Sequence, residues 1–121
     1  MIIAIDFDGT VVEHKFPLIG EDVPYVVETL QGFVADGHKL ILFTMRSGEY
    51  LDAAVQWFKD RDIELWGIQF NPQQYTWTTS NKAYAQLYID DAAIGCPLCL
   101  PEGFERPCVD WIAVSKIIGE V

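Results

Sequence analysis

Four short apolar runs, separated by stretches with helical spacing, leave this chain few folds to choose from. Ile2-Ile3-Ala4-Ile5 has no polar face at all. Lys39-Leu40-Ile41-Leu42-Phe43-Thr44, Ile63–Ile68 (interrupted by Gly67) and Leu87-Tyr88-Ile89 repeat the pattern. Continuous runs of this kind predict strands buried on both faces. Between the first two, Asp22 before Val23-Pro24 reads as an N-cap with a first-turn proline. Val26, Val27, Leu30, Phe33 and Val34 then follow at helical spacing until Gly37. Ser47-Gly48-Glu49 opens a second helix with Leu51, Ala54, Val55 and Phe58 inward. A short helix is predicted around Lys82–Ala85, and Asp110 caps a last one carrying Trp111, Val114, Ile117 and Ile118. Residues 7–21, 70–81 and 95–108 read as loops. Alternation of strand and helix calls for a parallel sheet covered on both faces and joined by right-handed crossovers. With 121 residues, this predicts one domain spanning residues 1–121, a three-layer α/β Rossmann-like fold.

Ligands bind such sheets at the carboxyl ends of the strands. Asp6 and Asp8 follow the first strand, Thr44 ends the second, and Asp90-Asp91 end the last. Lys82 lies in the segment leading into that last strand. Alone, each has an ordinary explanation: Thr44 as a strand end, Lys82 as a solvated lysine, Asp90-Asp91 as a turn. Their convergence on one sheet edge is harder to explain without chemistry. Carboxylates gathered there repel one another unless a cation neutralises them. Hard oxygen ligands suit Mg2+, which takes one or two carboxylates together with waters and a phosphate.

The net charge of −10 argues against non-specific binding to nucleic acid or anionic lipid, which need clustered positive charge. No apolar run approaches the roughly 18 residues of a membrane span. Met1–Ile5 lacks a basic region and runs straight into Asp6, unlike a signal peptide, so a cytoplasmic protein is expected. Cys96, Cys99 and Cys108 are odd in number, which favours a reducing compartment over a disulfide framework. Three zinc ligands would lack an obvious fourth, and partly buried loop cysteines are the simpler reading. Trp66, Phe70, Tyr75 and Trp77 form an aromatic stretch. It reads first as loop side chains packed on the sheet, and otherwise as a lid, a stacking platform or a subunit contact.

Beyond these local readings, the chain resembles the haloacid dehalogenase (HAD) superfamily of phosphohydrolases over nearly its whole length. Asp6-Phe7-Asp8-Gly9-Thr10-Val11 matches the first motif, Thr44 after Ile41-Leu42-Phe43 the second, Lys82 the third, and Asp90-Asp91 the fourth. The resemblance implies a Mg2+-dependent phosphatase acting on a small phosphorylated substrate. Asp6 would be the nucleophile that becomes an aspartyl phosphate. Asp8 would be the general acid and then the base, with its carbonyl on the metal. Thr44 and Lys82 would hold the phosphoryl oxygens, and Asp6, Asp90 and Asp91 would hold Mg2+. Met45 and Arg46 are candidate substrate contacts, with Arg46 reaching a second anionic group or pairing with Glu49. His14 and Lys15 are candidates in the facing loop. The superfamily's cap domain is inserted after the first motif or after the third strand. Here only Val12–Glu21 and Phe70–Asn81 occupy those places, so a capless member is expected. The arginine common after the fourth motif is Ala92, and the cysteine segment lies outside the core pattern. An open site would also admit the end of a nucleic acid, an alternative that the charge weakens. A phosphate- or Mg2+-binding regulatory domain without turnover is the other alternative. A capless site is poorly shielded from water, so self-association through the aromatic stretch is a further expectation.

Overall fold

Strand β1 (Ile2–Ile5) lies inside a four-stranded parallel sheet, and its neighbours explain its composition. The computed structural model describes residues 1–119. After β1 come α1 (Val26–Ala35), β2 (Lys39–Leu42), α2 (Gly48–Asp60), β3 (Gly67–Ile68), β4 (Leu87–Ile89), β5 (Leu98–Cys99), β6 (Cys108–Val109) and α3 (Trp111–Gly119). The sheet order is β3-β2-β1-β4. Ile3 pairs with Leu40 on one side and Leu87 on the other, so β1 has no solvent edge. The mixed α/β architecture is compatible with a Rossmann-like fold, as expected. Among the described residues no helix is long and apolar enough to cross a membrane.

The two faces of the sheet are covered differently. Ile3, Ile5, Leu40, Leu42 and Ile89 project into one core cluster with Leu30 and Phe33 of α1, Trp57 and Phe58 of α2, and Trp111 and Val114 of α3. All three helices therefore lie on one face. The order of the strands dictates this. The steps β1→β2→β3 run in one direction, so right-handed crossovers put α1 and α2 on the same side. The return from β3 to β4 runs the other way and crosses the opposite face, where Ala4 and Ile41 meet Ala85 and Trp66.

That return contains no α-helix, which corrects the expectation of helices on both faces and of a helix at Lys82–Ala85. A single 3-10 turn at Gln74–Thr76 is its only regular element among the described residues. Two side-chain amides replace the missing ladder. Asn71 Oδ1 accepts from the N–H groups of Gln73 and Gln74 at 2.9 and 3.1 Å, and its Nδ2 donates to Tyr84 O at 3.0 Å. Buried Gln74 donates to the carbonyls of Ser80 and Lys82 and accepts from Tyr84 N–H at 2.7 Å. At β3, a Cβ on Gly67 would collide with Phe70 O, so the chain turns back tightly there. The expected strand Ile63–Ile68 is accordingly reduced to Gly67–Ile68.

Two other local expectations change. Residues 95–108 are not wholly loop, because β5 and β6 pair antiparallel with Cys99 opposite Cys108. Asp22 does not cap α1, which begins four residues later after Tyr25 in a left-handed conformation. Its carboxylate instead accepts from Trp57 Nε1 at 2.9 Å and from Arg61 Nε and Nη2 at 2.9 and 3.0 Å. A ring N–H buried in α2 needs an acceptor more than a solvated helix end does. Asp110 does cap α3 as expected, its Oδ1 accepting from Ala113 N–H at 3.1 Å.

The Asp22 contact is measurable. Asp22→Ala should cost about 1–3 kcal/mol by orphaning the Trp57 N–H, seen as a fall in Tm of several degrees. In a Trp57→Phe background, where that N–H is gone, the same substitution should cost clearly less. Equal costs in the two backgrounds would mean that Asp22 acts elsewhere.

Candidate active site

The site sits where β1 and β4 end side by side, the point at which the strand order reverses. Crevices of ligand-binding α/β sheets open at such points. Asp6 N–H donates to Ile89 O at 3.0 Å, extending the β1–β4 pairing by one residue. Phe7 is fully buried, edge-on to Trp57 at 5.9 Å and tilted against Phe58 at 6.1 Å. Its carbonyl accepts from the N–H groups of Thr10 and Val11 at 3.1 and 2.8 Å, closing a tight turn. Burying Phe7 fixes the aspartates on either side of it. Gly9 has φ +85°, and a Cβ there would collide with the Asp91 carboxylate. Only glycine lets the turn and β4 approach so closely.

Asp6, Asp90 and Asp91 offer carboxylate oxygens within 4.8 Å of one another. Buried Thr10 links them. Its hydroxyl accepts from Asp91 N–H at 3.1 Å and lies 3.3 Å from Asp6 Oδ2 and 3.4 Å from Asp91 Oδ1. Burial, repulsion by Asp90 and the hydrogen bond and charge of Asp91 push Asp6 from its ordinary 3.8 up to about 8, against an opposing hydrogen bond from the Phe7 backbone. Three carboxylates in this arrangement could hold a hard divalent cation, whose charge would offset their mutual repulsion.

Asp8 stands apart from this group. Its two oxygens accept from Arg46 Nε and Nη2, each at 2.8 Å. Arg46 is 2% exposed. It also donates to Leu18 O at 3.0 Å and Tyr50 O at 3.3 Å, and lies over the Phe7 ring at 5.1 Å. Its ion pair is with Asp8 rather than with Glu49, which corrects that expectation. A buried guanidinium needs a carboxylate partner, and Asp8 is the one within reach. The expected crowding of Asp8 by other carboxylates is likewise replaced by this single cation.

Thr44 reaches the site, and a residue that sequence reasoning passed over holds it there. Gln69 follows β3 with φ 66°. Its Oε1 accepts from Thr44 N–H at 2.8 Å, and its Nε2 donates to Thr44 O at 2.6 Å and Arg46 O at 3.3 Å. The signal available was its position at a strand's carboxyl end, but an amide carries no obvious chemistry. Thr44 Oγ1 accepts from Arg46 N–H at 3.1 Å, leaving its proton available. Met45 is 97% exposed at the rim.

A cleft of about 580 Å3 contains Asp6, Asp8, Asp90, Asp91, Thr44, Met45 and Arg46, and also His14, Phe16, Ala92 and Arg106. Lys82 is not among its walls. Its ammonium lies over the Tyr88 ring at 5.2 Å, so the structure does not bring it to the aspartates as expected. Lys15 is drawn away to Glu105 at 3.6 Å and Glu13 at 3.9 Å. The cysteines form no ligand set: among the described residues the three aspartates are the only metal-ligating group of three or more. Burial and the neighbouring Cys99 push the Cys108 thiol up to about 12. Of the aromatic stretch, Trp66 packs on the sheet, whereas Phe70, Tyr75 and Trp77 are exposed rather than packed against it.

Fold and site together define an α/β domain with a parallel sheet and an acidic centre at its switch point. No protein-family model and no curated protein matches the chain. It is similar to a solved structure, that of a conserved protein coded by a locus from Bacteroides thetaiotaomicron. The two are 39% identical over 99% of this chain and 90% of that one, with a TM-score of 0.82. At that identity and coverage the chain belongs to the family of that protein.

The raised Asp6 has a consequence for stability. A carboxyl whose folded pKa exceeds its unfolded one binds more protons in the native state, so stability falls as pH rises between the two values. In EDTA, Tm should fall between about pH 4 and pH 8 through this group. Asp6→Asn should flatten that slope and raise Tm at pH 8. An unchanged slope would show that the crowding is relieved without a cation.

Proposed function

We propose that this protein is a Mg2+-dependent phosphohydrolase of the HAD type, a capless single-domain enzyme that cleaves a phosphomonoester through an aspartyl phosphate on Asp6. The observation that carries the reading is the crowding of Asp6 against Asp90 and Asp91 at the β1/β4 switch point. The first-motif resemblance and the Asp8 carboxylate in the same cleft add to it. Val12–Glu21 and Phe70–Asn81, the places where the resemblance would put a cap, carry no α-helix, which supports the capless reading.

In this reading Asp6, Asp90, Asp91 and the Asp8 carbonyl would hold Mg2+. The cation supplies Lewis-acid polarisation of the phosphoryl oxygens and neutralises the carboxylates. An Asp6 oxygen attacks phosphorus as the bond to the ester oxygen breaks, and that oxygen takes a proton from Asp8. Asp8 then removes a proton from water, whose oxygen attacks the aspartyl phosphate and releases inorganic phosphate and free Asp6. The Thr44 hydroxyl, which only accepts from Arg46 N–H, would donate its proton to a phosphoryl oxygen. To serve as the acid, Asp8 must exchange at least one Arg46 N–H for the substrate oxygen. Lys82 must leave the Tyr88 ring to reach the phosphoryl group. These two displacements favour a second reading, a cation- or phosphate-binding domain without turnover.

Phosphate release from small phosphomonoesters separates the two readings. Turnover with Mg2+, lost in excess EDTA and lowered by about 10³-fold or more in Asp6→Asn, is the expected result. No release from any ester, with Mg2+ binding intact, would leave the binding domain. Asp8→Asn should distinguish substrates. An alkyl ester needs the acid and should fail at the first step. An aryl ester with a good leaving group should complete that step and stall at the second. Aspartyl phosphate should then accumulate on Asp6, read as burst kinetics or an added phosphoryl mass. Equal loss on both esters without a trapped intermediate would remove Asp8 from the acid–base role.

A further inference from the structure

The cleft contains two arginines, and only one of them is committed. Arg46 is spent on Asp8 and on the carbonyls of Leu18 and Tyr50. Arg106 lines the same cleft as Asp6, Asp8, Asp90 and Asp91, yet it forms no ion pair among the described residues, in a chain of net charge −10.

The position of Arg106 is built by its surroundings. Buried Glu13, 6% exposed, accepts from Glu105 N–H at 3.0 Å across 92 positions of sequence. Lys15 bridges Glu13 and Glu105. Beyond Arg106, Val109 N–H donates to Gly9 O at 3.2 Å, and the indole of Trp111 donates to Thr10 O at 2.8 Å. The segment carrying Arg106 is thus tied on both sides to the chain around the first aspartates. It costs a buried carboxylate to hold a loop whose next residue is an exposed arginine aimed at an acidic cleft.

We infer that Arg106 is a specificity-determining residue that binds a second anionic group of the substrate, a carboxylate or a further phosphate, away from the phosphoryl group held at Asp6. This rests on the phosphohydrolase reading and deepens it. A cleft of about 580 Å3 falls within the range that holds a small-molecule ligand, so there is space for a substrate body between the two charged ends. A guanidinium matches a planar carboxylate or a phosphate through paired N–H donors. The acidic end selects a cation-bound phosphoryl group, and the basic end selects against esters whose remainder is neutral.

Three ligands on a three-carbon backbone test this in Mg2+: glycerol 3-phosphate, 3-phosphoglycerate and propane-1,3-diol bisphosphate. Calorimetric binding and phosphate release are measured in parallel on wild type, Arg106→Gln, Arg106→Lys and the same-loop control Glu102→Gln. Wild type should bind at least one of the doubly anionic ligands tenfold or more tightly than glycerol 3-phosphate. Which one it favours tells a carboxylate from a phosphate. Arg106→Gln should abolish that preference, with the change in KM rather than kcat. Arg106→Lys should restore part of it, and Glu102→Gln should retain it. Arg106-dependent binding without phosphate release would uphold the subsite and favour the binding domain without turnover. Release with no preference among the three, or with a preference that survives Arg106→Gln, would sink the subsite and keep the phosphatase. Wild type binding none of them would overturn the subsite.

Discussion

Three carboxylates within 4.8 Å of one another push each other apart, and much of the local architecture serves to hold them against that repulsion. β1 and β4 run parallel and adjacent, so their carboxyl ends cannot separate without breaking the sheet. Phe7 locks the β1 end into the helical core, while Gly9 removes the one atom that would keep Asp91 at a distance. The Thr10 hydroxyl then joins the two ends by hydrogen bonds. Burial, together with the charges of Asp90 and Asp91, pushes Asp6 up to about 8. An arrangement that costs stability in the empty state and is braced from several sides is characteristic of a functional site.

Asp8 shows the opposite solution a few residues away. Its charge is matched by a single buried guanidinium rather than left to an ion from solution. The two aspartates of one short motif thus have different electrostatic surroundings, one among carboxylates and one against a guanidinium. Arg46 also ties together Asp8, the Leu18 loop and the start of α2. Gln69 fixes the backbone of that same segment from β3.

What was legible in the sequence had a period or a run. The continuous apolar strands, the cores of α1, α2 and α3, and the aspartates at the strand ends could be read because burial on both faces leaves no polar position to confuse the pattern. The cover of the second sheet face could not. Asn71 and Gln74 satisfy its backbone one group at a time, and such bonding leaves no repeat to detect. The partner of Arg46 was missed because two strand-end loops had to be brought together first. Arg106 was missed for the same reason on a longer scale: the bond that places its neighbour joins residues 92 positions apart. Lys82 was placed by motif alone, and its local contacts put it on an aromatic ring instead.

The uneven cover of the sheet has a dynamic counterpart. One face is sealed by three helices sharing a single apolar cluster, while the other is closed by a segment whose order rests on two amides and a small contact set. Regions with few buried apolar contacts open locally at lower free energy than the cooperative core. Backbone amides of the 70–85 segment should therefore exchange with deuterated solvent well ahead of those in α1 and α2. Lys82 rides on that softer layer, and a swing of its ammonium off Tyr88 disturbs none of the helical cluster. The carboxylates thus stand at the ends of strands sealed by the helical cluster, and Lys82 stands on the more yielding surface opposite.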